Sequence, residues 1–198
     1  MRRTTMKPKV VLIGDSIRMG YQDTVAHELA DVAEVWGPAE NGGNSRNVLA
    51  HLDKWAVDRQ PDIVHINCGL HDLRREFGEE ANAVPLGEYT ENVRAILDRL
   101  LEGTNARVVW ATTTPVNQED HHRRKGFDRF AVDVDRYNAA ASGVAERLGV
   151  VIDDLCAVIT AAGPSGLLLD DGVHYSAEGY AHLGRAVAGF LRSVVASC

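Results

Sequence analysis

The sequence contains few cysteines, and their arrangement argues against two kinds of site. Three are present among 198 residues, Cys68, Cys156 and Cys198, and no two of them form a CxxC pair. An odd, widely spaced set is typical of a reducing compartment, and it argues against both a disulfide framework and a thiolate zinc site. No metal site is expected elsewhere either, because the adjacent His121 and His122 have no carboxylate partner at a fixed spacing.

Long apolar runs and phosphate-binding motifs are also missing. The first apolar run, Val10 to Ile13, is far too short for a signal-peptide core or a membrane span. We therefore expect a cytoplasmic protein with residues 1–7 as a disordered tail. Neither GxGxxG nor GxxxxGK[ST] occurs, so no cofactor is expected. A flavin- or nucleotide-binding enzyme is the alternative, and an absorbance scan of the purified protein would test it.

The chain has no excess of positive charge. Its formal net charge is −7 and its sequence pI is about 5.6, so it repels phosphate backbones and anionic lipid. Nucleic acid and membranes are therefore not expected as partners. The expected partner is a small-molecule ester substrate, and the oligomeric state stays open. Apolar residues make up 45% and charged residues 25%, as in an ordinary globular protein, and we expect one domain over residues 1–198.

Short apolar runs alternate with helical patterns along the chain. The runs predict strands at residues 10–13, 32–36, 62–68, 107–112 and 150–152, and apolar spacing predicts helices at about 19–30, 45–58, 88–101, 130–148 and 176–195. Continuously apolar strands indicate a sheet covered on both faces, hence parallel strands. The pattern predicts an α/β fold, a three-layer α/β/α sandwich with a five-stranded parallel sheet. Ligands bind beyond the carboxyl ends of such strands.

Polar residues collect at these strand ends. Gly14-Asp15-Ser16 directly follows the first strand, where a serine hydroxyl is exposed and its N–H lies near a helix N-terminus that favours an oxyanion. The alternative is that Asp15 and Ser16 only cap the helix.

A second polar group precedes the last predicted helix. Asp171 and His174 are three residues apart in a loop that contains glycine, so the carboxylate can fold back onto the imidazole. That contact would orient the ring and stabilise it when it accepts a proton. Alternatively, Asp171 is a turn residue and His174 a surface histidine.

These groups resemble the sequence blocks of the SGNH hydrolases, the GDSL-type esterases and lipases. Four blocks occur in that family's order: Gly14-Asp15-Ser16, residues 41–46, Gly69-Leu70-His71-Asp72, and Asp171-Gly172-Val173-His174. The resemblance implies a flavodoxin-like fold with no cofactor. It also implies Ser16 as nucleophile, His174 as base and Asp171 as the residue that orients His174.

The two middle blocks depart from the family pattern at the implied oxyanion hole. The resemblance implies three donors: the Ser16 N–H, a glycine N–H of the second block and an asparagine side chain of the third. Here His71 stands at the asparagine position, and a neutral imidazole still has one N–H. Arg46 stands at the glycine position and keeps a backbone N–H, with Gly43 as the alternative donor. His71 could instead be a packed loop histidine.

The resemblance implies hydrolysis of short-chain acyl esters, acetyl above all, of carbohydrates or small alcohols through an acyl-enzyme. The alternative is a catalytically weak or silent relative that binds acylated glycans. Residues in or near the blocks are expected to contact substrate: Asp15, Asn44, Asp72, Pro115 and Val173.

Two long segments are predicted to be loops near the site. Residues 112–128 are long enough for a binding loop or lid. Their basic run, Arg123 to Lys125, either meets an anionic leaving group or forms a solvated face. In the second block, the guanidinium of Arg46 is a further cation that could project toward the acyl or leaving group. Residues 74–91 are expected to shape the substrate pocket.

Overall fold

The computed structural model describes residues 7–197, and the predicted tail over residues 1–7 lies outside that part except for Lys7. A five-stranded parallel sheet has the order β2-β1-β3-β5-β7. Its strands are β1 (Lys9–Ile13), β2 (Glu34–Trp36), β3 (Ile63–Ile66), β5 (Arg107–Ala111) and β7 (Val151–Asp153). The predicted α/β/α sandwich with a five-stranded parallel sheet is confirmed.

Helices cover both faces of this sheet. The helices are α1 (Ser16–Glu28), α2 (Ser45–Trp55), α3 (Leu86–Gly103), α4 (Gln118–Arg124), α5 (Ala131–Arg147), α6 (Leu155–Ala162) and α7 (Ala177–Val195), with 3-10 turns at Val57–Arg59 and Pro164–Gly166. Helix α7 packs on α1 and α6, while α3 packs on α2 and α5. The group of α1, α6 and α7 and the group of α2, α3 and α5 lie on opposite faces of the sheet. Right-handed crossovers require this, because the chain reverses direction across the sheet after β2.

The apolar strands form the centre of the core. Val10, Leu12 and Ile13 of β1 are fully buried, and β3 and β5 carry equally buried side chains on both faces. Tyr21, Trp55 and Trp110 fill the space between helices and sheet. This double-sided burial explains why the strands lack the alternation of polar and apolar residues that an exposed sheet face would require.

A second, two-stranded sheet joins the two long segments that were predicted to be loops. Strand β4 (Arg75–Glu76) lies in residues 74–91, and β6 (Phe127–Asp128) follows α4 in residues 112–128. The two strands pair in antiparallel register, Arg75 with Asp128 and Glu76 with Phe127. The prediction of structureless loops is wrong here, because a short helix and a ribbon pack these segments against each other above the carboxyl edge of the main sheet.

Among residues 7–197, every helix is too short or too polar to span a lipid bilayer. Cys68 is a buried free thiol and Cys156 a partly buried one, while Cys198 lies outside the described residues.

Candidate active site

Ser16 is the first residue of α1, immediately after the carboxyl end of β1. Asp15 caps this helix: its Oδ1 accepts the Ile17 N–H at 2.9 Å. The cap makes α1 begin three residues before the position predicted from apolar spacing. Ser16 is half-buried, and its Oγ lies 2.9 Å from His174 Nε2.

His174 is held by Asp171 in the loop before α7. The His174 Nδ1 lies 2.6 Å from Asp171 Oδ2. The other carboxylate oxygen, Oδ1, accepts the backbone N–H groups of Val173 at 3.1 Å and His174 at 2.9 Å. The loop therefore folds back on itself as expected, and Ser16, His174 and Asp171 form one chain of hydrogen bonds at the strand ends.

Burial acts to raise the pKa of Asp171, but hydrogen bonds dominate. The His174 ring, the two N–H groups and Lys125 together hold the pKa of Asp171 well below its ordinary value. Asp171 is thus a carboxylate at neutral pH, the form that accepts a hydrogen bond from an imidazole N–H and stabilises its cation.

Gly172 allows the loop to approach the segment after β5. The Asn117 N–H donates to the Gly172 carbonyl at 2.8 Å. Gly172 has φ of +70°, and a Cβ atom there would lie 2.3 Å from the Asn117 carbonyl oxygen. Only glycine combines this backbone conformation with such a close approach.

The backbone N–H groups at the starts of α1 and α2 and in the segment before α2 differ in whether they already have a hydrogen-bond partner. The Gly42 N–H donates to the Gly14 carbonyl at 3.0 Å, which brings the segment before α2 beside the start of α1. The Gly43 N–H is already donated to Asn41 Oδ1 at 2.8 Å. Within residues 7–197, the N–H groups of Ser16 and Arg46, both in first helical turns, have no hydrogen-bond partner. Of the two alternatives for the second donor, only the Arg46 N–H is without a partner within residues 7–197.

The Arg46 side chain does not point to the site. Its guanidinium makes two hydrogen bonds to Glu88, with Nε 2.5 Å and Nη2 2.6 Å from the carboxylate oxygens. A third bond runs from Nη1 to the Ala83 carbonyl at 3.2 Å. The expectation that this guanidinium projects toward the acyl or leaving group is wrong, because Glu88 of α3 binds it on the exposed surface.

His71 lies half-buried in the loop after β3, and its ring makes no hydrogen bond to any residue between 7 and 197. Burial lowers its pKa, and the positive charges of Arg129 and Arg74 act in the same direction, against the opposing charge of Asp15. The ring is therefore neutral at pH 7 and keeps one N–H that no protein group uses.

Three residues predicted to contact substrate are buried and have structural roles. Asp15 is 1% exposed and caps α1, and Val173 is 2% exposed. Asp72 is 0% exposed, and burial raises its pKa to about 7 against the opposing effect of its hydrogen bonds with Ser45. These three predictions are wrong, because these block residues are covered by the elements packed around them and have almost no exposed side-chain surface.

The other two predicted contacts stay at the surface. Asn44 caps α2, with its Oδ1 accepting the Asn47 N–H at 3.1 Å, and is half-buried. Pro115 lines a cleft of about 470 Å³ that extends along residues 115–120 to Pro164, Ser165 and residues 168–170. The cleft thus reaches Asp170, the neighbour of Asp171.

The basic run and the histidine pair have internal partners that sequence reasoning missed. Arg123 pairs with Asp120, Arg124 lies 3.4 Å from Asp170, and Lys125 Nζ lies 3.1 Å from Asp171 Oδ2. Lys125 therefore fits neither expected role of the basic run, contact with an anionic leaving group or a solvated face. No spacing in the sequence indicates that its partner is Asp171.

His121 and His122 lie on the helix α4, not in extended chain. His121 is buried beside Arg129, while His122 contacts Asp128 at 2.7 Å. No group of histidine, cysteine, aspartate or glutamate in residues 7–197 is arranged to hold a metal ion.

A parallel α/β/α sandwich with this sheet order and a serine after its first strand has the SGNH hydrolase fold. A family model described as GDSL-like lipase/acylhydrolase matches residues 12–182, and the chain belongs to this family of hydrolases that act on esters. Among curated proteins, none is significantly similar to the chain in sequence.

Several solved structures share the fold at low sequence identity. The lipase/acylhydrolase from Enterococcus faecalis is 22% identical, with a TM-score of 0.79 over 96% of this chain and 97% of that one. The acetyl xylan esterase AlAXEase is 19% identical, with a TM-score of 0.73 over 92% and 99%. A catalytic mutant of Axe2, an acetylxylan esterase from Geobacillus stearothermophilus, is 20% identical, with a TM-score of 0.71 over 94% of each chain.

Proposed function

We propose that the chain is a serine esterase that hydrolyses short-chain acyl esters, acetyl above all, of carbohydrates or small alcohols. The observation that carries this proposal is the continuous hydrogen-bond chain from Ser16 Oγ to His174 Nε2, at 2.9 Å, and from His174 Nδ1 to Asp171 Oδ2, at 2.6 Å. A serine hydroxyl is a weak nucleophile alone, and a positioned base that takes its proton makes it reactive.

The reaction takes place in two acyl-transfer steps. Ser16 Oγ attacks the ester carbonyl while His174 Nε2 takes the hydroxyl proton, and Asp171 stabilises the resulting imidazolium. The tetrahedral intermediate collapses when His174 gives that proton to the leaving alcohol, which leaves an acyl-Ser16 ester. Water then attacks this ester with His174 again as base, and the acid and free Ser16 are formed.

Three N–H groups are proposed to bind the oxyanion. They are the backbone N–H groups of Ser16 and Arg46, which have no partner within residues 7–197, and the ring N–H of neutral His71. Donors that are already oriented cost no reorganisation as negative charge develops on the carbonyl oxygen. Their free state also favours hydrolysis over the alternative, a silent relative that only binds acylated glycans.

The substrate class is proposed from the cleft beside Asp170. Glu119, Asp120 and Asp170 line it together with polar groups such as Asn117 and Ser165. Carboxylates repel anionic substrates, while hydroxyl groups of a neutral sugar can donate to them. Two of the structural neighbours are named as acetyl xylan and acetylxylan esterases, which supports an acetylated carbohydrate as the substrate. A small-molecule partner and a cytoplasmic location remain predictions.

The test of the reaction is Ser16→Ala, assayed on p-nitrophenyl acetate and labelled with a fluorophosphonate. We expect turnover to fall by at least about a thousandfold and labelling to disappear, because the nucleophile is lost. Ser176→Ala, which changes only the cap of α7, is the matched control and should keep the label. A Ser16→Ala protein with wild-type turnover would contradict the assignment.

The test of the substrate class is a series of C2 to C12 nitrophenyl esters assayed beside acetylated xylo-oligosaccharides. We expect the highest kcat/KM for acetyl groups and release of acetate from the oligosaccharides. Preference for long acyl chains would overturn the proposed substrate class but not the proposed mechanism.

A further inference from the structure

Asp171 has a second cationic partner besides the imidazole. Lys125 Nζ lies 3.1 Å from Asp171 Oδ2, the same oxygen that is 2.6 Å from His174 Nδ1. The two side chains are 33% and 20% exposed, so solvent screens this pair only in part. Among residues 7–197, no other lysine or arginine nitrogen lies within 4.0 Å of the Asp171 carboxylate.

The backbone holds Lys125 in this place. Helix α4 ends at Arg124, and the Lys125 N–H donates to the His121 carbonyl at 2.9 Å. At the start of the helix, the Asn117 N–H donates to the Gly172 carbonyl at 2.8 Å. Strand β6 follows directly and pairs with β4. The segment is thus held at its start by the loop that carries Asp171 and His174 and at its end by strand β4.

Other titratable and charged groups lie around the Asp171–His174 pair. Arg124 of α4 lies 3.4 Å from Asp170, at the surface. His121 of α4 is buried, and its pKa is lowered to about 4 by burial and by the charges of Arg129 and Lys125, so it is neutral. From the other elements, the facing groups are Arg129 before α5, bound to the Leu70 carbonyl at 2.6 Å, Asp15 before α1, and His71 after β3.

We propose that Lys125 is a positioning residue for the reaction: its ammonium shares Asp171 Oδ2 with the His174 ring and weakens the hold of the carboxylate on the imidazolium. The inference rests on the proposed function. A positive charge at this point disfavours a second positive charge on the adjacent ring. Lys125 therefore limits how strongly Asp171 stabilises the protonated ring that forms when His174 takes the Ser16 proton.

The test is Lys125→Met, which keeps the length of the side chain and removes its charge. The acidic limb of the kcat/KM profile for p-nitrophenyl acetate reports protonation of the base. We expect this limb to move to higher pH by roughly 0.5 to 1 unit, the effect of removing one partly screened charge beside the base. Lys125→Arg should restore the wild-type position. Arg124→Met removes the same charge one residue away and should leave the limb unmoved.

A second measurement detects protonation of the His174 ring without enzyme turnover. Titration of the His174 ring by NMR, assigned with His174→Asn, should show the same upward displacement in Lys125→Met and none in Arg124→Met. Equal displacement in both variants would overturn the proposal, as would no displacement in either. A uniform loss of kcat in Lys125→Met and Lys125→Arg, with an unmoved limb and ring titration, would show a merely structural role.

The proposed function can fail separately. If wild-type protein takes up no fluorophosphonate at Ser16, the proposed function is wrong, and the NMR titration still decides the effect of Lys125 on His174. If Ser16 is labelled and the titration is unmoved in Lys125→Met, only the role of Lys125 is wrong.

Discussion

The backbone N–H of Ser45 donates to both carboxylate oxygens of Asp72, at 2.9 Å and 3.0 Å. This bond joins the first residue of α2 to the loop after β3. Those two segments carry Arg46 and His71, the two proposed oxyanion donors that depart from the family pattern. One buried carboxylate thus sets the spacing between them.

Asp72→Asn is predicted to remove a pH dependence of stability. Burial raises the pKa of Asp72 to about 7, above the ordinary value of about 3.9. Between pH 4 and 7 the unfolded chain has lost this proton and the folded chain still holds it, so the free energy of unfolding falls as pH rises. The loss is on the order of 4 kcal/mol by pH 8. Urea unfolding at pH 4, 5.5 and 8 measures it, and a constant difference between the two proteins would contradict it.

Arg46→Pro is predicted to remove an oxyanion donor without breaking any backbone hydrogen bond. The Arg46 N–H has no partner within residues 7–197, and proline is tolerated in the first turn of a helix. We expect kcat to fall by roughly a hundred- to a thousandfold. Arg46→Ala keeps the N–H and removes only side-chain contacts at the exposed surface, the pair with Glu88 and the bond to the Ala83 carbonyl. Its kcat should therefore stay close to that of the wild type. A thermal melt checks that Arg46→Pro is folded. Wild-type turnover in the folded variant would exclude this donor.

His71→Ala is predicted to lower kcat by roughly a hundred- to a thousandfold, with a smaller change in KM, because the ring N–H acts on the developing oxyanion. His71→Asn supplies an amide N–H at the same position and should recover most of that loss. Steady-state kinetics on p-nitrophenyl acetate for the three proteins measures both constants. Equal activity of His71→Ala and the wild type would mean that His71 is a packed loop residue.

Asp171→Asn is predicted to keep the loop and lose the activity. An amide oxygen can still accept the N–H groups of Val173 and His174, now bonded to Oδ1 at 3.1 Å and 2.9 Å. The amide has no charge to stabilise the imidazolium, and we expect kcat to fall by roughly a thousand- to ten-thousandfold. Single-turnover acetylation of Ser16 measures the affected step. A loss of less than tenfold would contradict the role of Asp171.

The sequence was sufficient to predict the sheet, most helices and the three residues of the hydrogen-bond chain. Apolar runs such as Val10 to Ile13 indicate buried strands, because a strand covered on both faces has no solvent-exposed side and is apolar at most positions. Ser16 stands at a strand end and Asp171 and His174 are three residues apart in one loop, and the resemblance to the SGNH hydrolases implies that these three residues act together. Such patterns act over a few neighbouring residues, so they can be recognised along the chain.

Sequence reasoning failed where distant segments meet. Helix α4 and the paired strands β4 and β6 have no recognisable signal in the sequence, because two-residue strands and a seven-residue helix carry too little apolar pattern. Asp15, Asp72 and Val173 were expected at the surface, and their direction depends on what the neighbouring elements pack against them. No local signal distinguishes a loop carboxylate that binds substrate from one that caps a helix.

The amino-acid sequence by itself determined the family, the parallel sandwich and the order of its functional blocks, since these depend on residue type and short-range spacing. The tertiary structure alone decided that Lys125 meets Asp171 and that His65, within a buried strand, binds Asp153 at 3.0 Å. Each of these pairs joins residues far apart in the chain. Their contact requires the whole packing of helices on the sheet, which no local pattern encodes.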